Sequence, residues 1–200
     1  MHIETDLVAF SEPEFWLESE RQQYEGFLKG VRGVGPVMAG VMLSEIDLEK
    51  ATTASKIWQY SGLNSGMVKG RKKVNDQIIV TDTMIRGDKP TPGYEIPYNK
   101  FLKSKMMGVL ADSFIKSRSP YADYYYSMKQ RLENSSKPCR GDKAWKDESK
   151  GHRDMAAKRY MVKMFLLDYY REGRKILGLP VRPSYQEEYL GHVHSGEASR

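Results

Sequence analysis

The chain has 200 residues, of which 40% are hydrophobic and 29% charged, and its formal net charge at pH 7 is +6. A chain of this length can bury a core of its own, and no apolar run approaches the roughly 18 residues that a membrane-spanning helix requires. The single cysteine, Cys139, excludes an internal disulfide framework and an all-cysteine zinc site, and the N-terminus lacks the pattern of a secretory signal. These features predict a folded cytoplasmic protein that does not enter a membrane.

Common cofactor and hydrolase motifs are missing from the sequence. It contains no GxGxxG or Walker loop, no HExxH and no GxSxG. His192 and His194 form a His-x-His pair, but no third ligand lies near them in the sequence. We therefore expect neither a cofactor nor a bound metal ion.

The charge is distributed unevenly along the chain. Residues 1–26 hold seven acids and one base, whereas residues 27–200 hold 31 bases and 19 acids, a net charge of +12. A positive body of this kind is typical of a nucleic-acid-binding protein. The alternative is a basic surface without such a role, which is common among cytosolic proteins.

Hydrophobic spacing predicts a mainly α-helical fold with a small β-ribbon. The expected helices lie at 13–29, at 37–46, at about 53–61 with a cap at Thr53 or Ser55, from Tyr98 to Ile115, from Ser119 to Leu132, and at 151–177 with a stop at Gly178. Between them, a basic loop from Lys69 to Lys73 leads into the ribbon, whose turn we assign to Asn75-Asp76. We interpret residues 134–150 as an irregular surface loop or a disordered crossover, and the tail after Pro183 as one short segment followed by a frayed end.

The segment from Phe27 to Ser44 fits a helix-hairpin-helix pattern. Gly33-Val34-Gly35 is the proposed turn, Pro36 opens the second helix, and Val34 is expected to point inward. Such a corner offers backbone N–H groups and the positive end of a helix dipole to a phosphate without reading the base. The alternative is a glycine-containing corner between packed helices that binds nothing.

The same segment resembles the C-terminal domain of DEDD-type insertion-sequence transposases of the Piv/MooV group. In that family a GhGPhhAxxhhxEI corner precedes a Y-x-G-L element, and Gly33 to Ile46 and Tyr60 to Leu63 are similar to these. A basic segment and a GN-x-x-L-[RK] element follow in the family, and Arg86-Gly87 and Tyr98 to Lys103 look like their counterparts. The resemblance covers roughly residues 25–120 and implies DNA binding in transposition or site-specific recombination.

Two departures from the family matter for function. Full-length members carry an N-terminal RuvC-like domain whose four acids hold Mg²⁺, and we expect any cutting here to come from a separate RuvC-like nuclease subunit. The family also has a serine nucleophile, for which Ser65 is the only counterpart, closer to Leu63 than the family spacing. A serine needs an activating base, and no histidine occurs between His2 and His152. A solvated loop serine is therefore the alternative.

The residues predicted to bind nucleic acid are basic or belong to the glycine turn. They are Lys29, Arg32, Gly33, Val34, Gly35, Lys69, Arg71, Lys72, Lys73, Arg86, Lys100, Lys103, Lys158 and Arg159. Several tyrosines lie among basic residues, including Tyr121 and Tyr124 to Tyr126. They either stack on unpaired nucleobases or pack a core.

The predicted organisation has four parts. They are an acidic N-terminal segment and helix (1–26), a transposase-like DNA-binding region (27–133), a basic loop (134–150), and a long C-terminal helix with its tail (151–200). The expected partner is DNA in the nucleoid, with a structural RNA as a further candidate and self-association left open. Two alternatives remain: a serine-using recombinase completed by a RuvC-like partner, and a non-catalytic RNA- or DNA-binding scaffold.

Overall fold

The computed structural model describes residues 16–183. That part of the chain is mainly α-helical and contains two small antiparallel sheets of two strands each, so the predicted mainly α-helical class with a small β-ribbon is confirmed. The helices are α1 (Glu18–Gly26), α2 (Pro36–Glu45), α3 (Ala54–Tyr60), α4 (Lys100–Lys105), α5 (Ala111–Lys116), α6 (Ala122–Glu133) and α7 (Lys150–Ile176), and the strands are β1 (Met67–Val74), β2 (Gln77–Arg86), β3 (Pro138–Arg140) and β4 (Lys143–Ala144). None of these helices is long and apolar enough to cross a membrane.

Helix α7 supplies the centre of the core. Met161, Phe165 and Tyr169 recur every four residues along it and are fully buried, so they form one apolar stripe. Helices α1, α3, α5 and α6 pack against α7. At its end, Gly178 has φ +65 and its N–H donates to the Lys175 carbonyl, which is the helix stop expected from the sequence.

The helix predicted from Tyr98 to Ile115 is present as three continuous pieces. Asn99 caps its start by accepting a hydrogen bond from the Leu102 N–H at 3.0 Å. A π-helical turn, Met106–Leu110, separates α4 from α5. This turn shifts the helix register, because each of its N–H groups bonds one residue further back than in an α-helix.

Three local predictions were wrong. Lys69 to Lys73 is not a loop, because it forms most of strand β1 and pairs with β2. The two strands meet at Asn75-Asp76, whose φ values of 48 and 62 are those of the tight hairpin turn we expected there. Residues 134–150 are not an irregular loop, because they contain the β3–β4 hairpin and a 3₁₀ turn, Trp145–Asp147.

The third difference concerns the first helix. It ends at Gly26, and a separate 3₁₀ turn, Leu28–Gly30, follows instead of a continuous helix to residue 29. The predicted start near residue 13 and the predicted tail after Pro183 lie outside the described residues.

The glycine turn joins the 3₁₀ turn to α2. Gly33 has φ +99, a conformation that side chains rarely adopt, whereas Gly35 has φ −88 and ψ 169, which any residue can adopt. Val34 between them is only 9% exposed, as predicted, and Pro36 occupies the first position of α2. The backbone conformation therefore requires a glycine at position 33, whereas the conformation at Gly35 is open to other residues.

Candidate nucleic-acid interface

The glycine turn has one packed side and one open side. On the packed side, the Gly33 carbonyl accepts a hydrogen bond of 2.7 Å from the Ser113 hydroxyl, and a Cβ at Gly33 would lie 2.8 Å from Phe114 Cδ1. On the open side, a Cβ at Gly35 would meet no described atom within 4 Å. Helix α5 therefore fixes the turn while leaving Gly35 accessible.

The open side leads to the start of α2. Pro36 has no N–H, and the first helical hydrogen bond is donated by Ala39 to the Gly35 carbonyl at 2.9 Å. The N–H groups of Val37 and Met38 therefore precede the helical ladder and point out of the helix end. This end is a source of backbone donors and positive potential.

A groove of about 240 Å³ runs along this helix end. Gly35, Val37, Lys105 and Val109 are among its lining residues. Lys105 lies over the Phe101 ring at 5.3 Å and, within residues 16–183, forms no ion pair. The sequence carries no local signal for Lys105, because its place beside the corner depends on the packing of α4 against α2.

A second, larger groove of about 840 Å³ adjoins the chain just before the turn. Arg32 and Arg118 line it, and neither forms an ion pair with another described residue. Tyr121 and Tyr124 also line it, and the Tyr121 hydroxyl donates to Asp168 at 2.9 Å. Burial is the main cause that raises the pKa of Asp168 and that of Tyr121.

The tyrosines predicted either to stack on nucleobases or to pack a core differ in their burial. Tyr125 is buried and Tyr121 packs its ring against Phe114 and Phe165, so these two belong to the core. Tyr126 is 55% exposed, and Tyr124 is half-buried at the edge of the groove. Tyr126 therefore keeps most of its ring surface for a stacked base, and Tyr121 and Tyr124 keep part of theirs at the groove.

The β1–β2 ribbon is exposed on both faces. Its cations include Lys69, which pairs with Asp82 at 3.0 Å, and Lys73, which pairs with Asp76 at 2.8 Å. Arg71 has no acidic partner in the described part of the chain. Apolar side chains lie exposed between these cations: Met67, Val74, Ile78, Ile79, Val80 and Met84.

Tyr94 anchors the base of the ribbon. A Cβ at Gly70 would lie 2.6 Å from the Tyr94 ring, and the ammonium of Lys72 lies 4.7 Å from the centroid of the same ring. The Glu95 N–H also donates to the Arg71 carbonyl at 2.7 Å. The ribbon is thus held at its strand β1 while most of its surface faces solvent.

Three of the predicted cations meet at Asp88, which is 2% exposed: two pair with its carboxylate and the third binds its backbone carbonyl. Arg86 donates to it through Nε at 2.9 Å and Nη2 at 3.2 Å, and Arg159 Nη2 lies 3.6 Å from it. Lys103 donates to the Asp88 backbone carbonyl. Burial opposes ionisation of Asp88, but the Arg86 hydrogen bonds and the three positive charges hold its pKa below the usual value.

The segments that carry the family resemblance meet beside this cluster. The Asn99 side-chain amide donates to Glu45 at the end of α2 and to the Tyr60 hydroxyl at 3.0 Å, and its backbone N–H donates to the Tyr60 carbonyl at 2.8 Å. Gly62 has φ +65, and a Cβ there would lie 2.8 Å from the Tyr98 ring. The corner, the Y-x-G-L element and the segment from Tyr98 to Lys103 therefore form one packed unit.

The remaining predicted residues are dispersed. Lys29 pairs with Glu25 at 2.7 Å, and Lys158 pairs with Asp112 at 2.9 Å and Asp154 at 3.2 Å. Lys100 is exposed at the start of α4. Ser65 lies exposed between α3 and β1, and its hydroxyl has no hydrogen-bond partner among residues 16–183.

Comparisons of the chain with protein-family models, with curated proteins and with solved structures found no match.

Proposed function

We propose that this protein binds nucleic acid, with duplex DNA as its main ligand, as the DNA-binding part of a transposase- or recombinase-like system. The observation that carries the proposal is the open start of α2, where Gly35 leaves space for a ligand and Lys105 lines the same groove. A phosphate in this groove gains the N–H donors of the helix end, its dipole and one lysine charge.

The helix-hairpin-helix interpretation belongs to this proposal. Helix α1 with its 3₁₀ extension takes the place of the first helix, Gly33-Val34-Gly35 is the hairpin, and α2 is the second helix. The asymmetry of the turn supports it, because packing alone would favour close contact at both glycines, and Gly35 has none among the described atoms. Contacts of this type position a protein on the DNA backbone and carry no base information.

The β1–β2 ribbon is the proposed second contact. A two-stranded ribbon fits the major groove of B-DNA, which is about 12 Å wide, and exposed apolar side chains can also wedge between base steps. The ribbon holds five bases and two acids, so its net charge is +3. Exposed isoleucines and valines beside arginine and lysine suit an insertion into a groove better than a purely solvated surface.

A single-stranded ligand, such as a structural RNA, is the second candidate. The groove bordered by Arg32, Arg118 and Tyr124 supports it, because a guanidinium pair next to an aromatic ring suits a phosphodiester with a stacked base. Catalysis by Ser65 has no comparable support, since no base or acid among residues 16–183 contacts its hydroxyl. We therefore propose that a separate RuvC-like subunit carries out strand cleavage.

The test is a binding titration by fluorescence anisotropy with labelled duplex DNA, single-stranded DNA and an RNA hairpin. The apparent affinity for duplex should fall steeply between about 50 and 200 mM salt, with a log–log slope of several units. Lys105→Ala should weaken duplex binding and reduce the magnitude of that slope by about 1.

Lys56→Ala is the matched control. Lys56 is exposed on α3, forms no ion pair with a described residue, and lines a groove with Ser44 and Glu45 at the opposite end of α2. Helix α2 has ten residues and is therefore about 15 Å long. Lys56→Ala removes the same charge as Lys105→Ala, but at the end of α2 far from the turn. Equal losses in both variants would contradict the phosphate site at the turn, and a flat salt response would contradict nucleic-acid binding altogether.

A further inference from the structure

The chain's single cysteine lies next to a histidine and a glutamate in the β3–β4 region. Cys139 is on β3, Glu148 follows the 3₁₀ turn, and His152 is in the first turn of α7. The Sγ atom of Cys139 is 3.4 Å from Nε2 of His152, and one carboxylate oxygen of Glu148 completes a group whose ligand atoms all lie within 4.8 Å of one another. Three side chains from three elements thus converge on one point.

The distances suit a tetrahedral metal centre. A zinc ion binds a cysteine sulfur at about 2.3 Å and a histidine nitrogen at about 2.0–2.1 Å, which places these two atoms about 3.5 Å apart in a tetrahedral site. The observed separation of 3.4 Å agrees with this value. In a tetrahedral site two ligands at about 2.1 Å lie about 3.4 Å apart, so the Glu148 carboxylate, which lies within 4.8 Å of the other two ligand atoms, would have to move closer when the ion binds.

The donor set selects the class of metal. A thiolate, an imidazole and a carboxylate together match the preferences of Zn²⁺ and its neighbours among the transition metals. Mg²⁺ and Ca²⁺ prefer oxygen ligands throughout, and a cysteine is a poor ligand for either ion. The cluster is therefore chemically unlike an acidic surface patch that attracts cations in general.

The surrounding residues already orient the ligands. The His152 ring stacks on Trp145 with a centroid separation of 5.3 Å and an interplanar angle of 9°. The His152 backbone N–H donates to the Ser149 hydroxyl at 3.2 Å, which caps α7. The Glu148 side chain is 8% exposed and lies 3.6 Å from the ammonium of Lys143. The ring stack and the helix cap hold His152 in place, whereas a bound ion would take the place of the Lys143 ammonium at the Glu148 carboxylate.

The hairpin around Cys139 is short, and an additional link to the core would stabilise it. Its strands have three and two residues, and a two-stranded hairpin of this size is marginally stable on its own. Two backbone hydrogen bonds of 3.0 Å, from Trp145 to Lys137 and from Lys146 to Ser135, extend it. A metal ion that joins β3 to the start of α7 would hold this segment against the helical core.

We propose that Cys139, Glu148 and His152 bind one zinc-class divalent ion, with a water molecule in the fourth position, and that the ion fastens the hairpin to α7. Binding deprotonates the Cys139 thiol, releases that proton to solvent, and adds its free energy to folding. The inference does not depend on nucleic-acid binding, because none of its three residues belongs to the proposed DNA contacts.

The test uses the untagged full chain, freed of metal with a chelator and titrated with Co²⁺ and then Zn²⁺. We expect one Co²⁺ per chain, with the visible absorption of a tetrahedral ion and a near-ultraviolet thiolate-to-cobalt band that Zn²⁺ abolishes. Cys139→Ser should remove the thiolate band, and Glu148→Gln should weaken binding at least about tenfold. Asp147→Asn, its exposed neighbour, is the matched control and should bind as the original chain does.

A second measurement does not depend on the folding of a variant. Zn²⁺ should protect Cys139 in the original chain from a thiol-modifying reagent, and it should raise the midpoint of thermal unfolding. The proposal is overturned if Cys139→Ser keeps the cobalt spectrum, if Glu148→Gln and Asp147→Asn weaken binding equally, or if Zn²⁺ leaves thiol reactivity unchanged. The metal ion could instead bind to the His192-His194 pair. Loss of binding in His194→Ala would show this and would also overturn the proposal.

Discussion

The hydroxyl of Ser113 on α5 donates a 2.7 Å hydrogen bond to the carbonyl of Gly33, which binds the glycine turn to a helix eighty residues later in the chain. This bond explains why the two glycines of the turn differ. Gly33 faces α5 in a left-handed conformation, and Gly35 faces away from it in an extended one. Packing therefore depends on Gly33, and the proposed ligand contact depends on Gly35. Substitutions at the two positions can test the two roles separately.

Gly33→Ala should destabilise the fold and Gly35→Val should not. Alanine at Gly33 is strained by φ +99 and meets Phe114, so we expect a loss of about 1–3 kcal/mol in the free energy of unfolding. Valine at Gly35 fits its φ of −88 but fills the space beside the α2 N–H groups, so duplex affinity should fall while stability stays within about 0.5 kcal/mol. Denaturant unfolding and anisotropy titration measure the two effects.

Val34→Ala provides the control for this pair. Val34 is buried beneath the turn, so its truncation should cost about 1–2 kcal/mol of stability and leave the affinity of the folded protein nearly unchanged. If Gly35→Val loses stability as Val34→Ala does and its DNA affinity is unaltered, the turn is a packing corner only.

Sequence patterns sufficed for the elements whose apolar spacing is regular. Helices α2 and α7 and the Asn75-Asp76 turn were predicted nearly to the residue, because each has a strong local determinant such as Pro36, Gly178 or the turn pair itself. The same patterns missed β1, whose basic residues resemble a solvated loop. Its strand conformation comes from pairing with β2, a contact that local propensity does not encode.

The candidate site was only partly predictable for the same reason. The sequence identifies Arg86, Lys103 and Arg159 as positive charges but cannot show that Asp88 draws all three together across three elements. It also cannot bring Cys139 next to His152, because a hairpin that local patterns did not predict separates them. Long-range ion pairs and ligand clusters depend on tertiary packing, which local sequence patterns do not specify.

Removing the ribbon cations should weaken binding without changing the fold. The triple variant Arg71→Ala, Lys72→Ala and Lys73→Ala should lose duplex affinity to a similar extent on unrelated sequences, since phosphate contacts carry little base information. Because these side chains are exposed, the unfolding midpoint should change little. A fall in thermal stability with unchanged affinity would assign these residues to the surface of the fold alone.

Asp88→Asn should destabilise the fold. It removes the carboxylate that pairs with Arg86 and Arg159 in the described structure, but these two cations are 47% and 28% exposed, so water screens part of the lost interaction and the cost should be on the order of 1–3 kcal/mol. Chemical denaturation at pH 7 measures this difference. Asp82→Asn, an exposed partner of Lys69, removes an equal charge and should change stability by less than about 1 kcal/mol.

The same carboxylate should make stability depend on acid. Its folded-state pKa lies below the usual Asp value, so its contribution is complete at pH values above that usual value and is lost as the pH falls through the folded-state pKa. The difference in unfolding free energy between the original chain and Asp88→Asn should therefore shrink below about pH 4. A difference that is constant from pH 3 to pH 7 would exclude Asp88 as the acid-sensitive group.

Lys163 should make stability depend on pH in the alkaline range as well. Burial, aided by the positive charge of Arg159, lowers the pKa of Lys163 to about 8, and its ammonium lies 4.5 Å from the centroid of the Trp58 ring. The unfolded chain, with the ordinary pKa of 10.5, therefore binds more protons between pH 8 and pH 10.5, and stability rises with pH there.

Lys163→Met removes this dependence and keeps an apolar side chain, so the variant should be more stable than the original chain at pH 7. Relative to that variant, the original chain should gain about 1 kcal/mol between pH 8 and pH 9. Urea unfolding of both proteins at each pH measures the gain, and parallel curves would mean that Lys163 titrates as an ordinary exposed lysine.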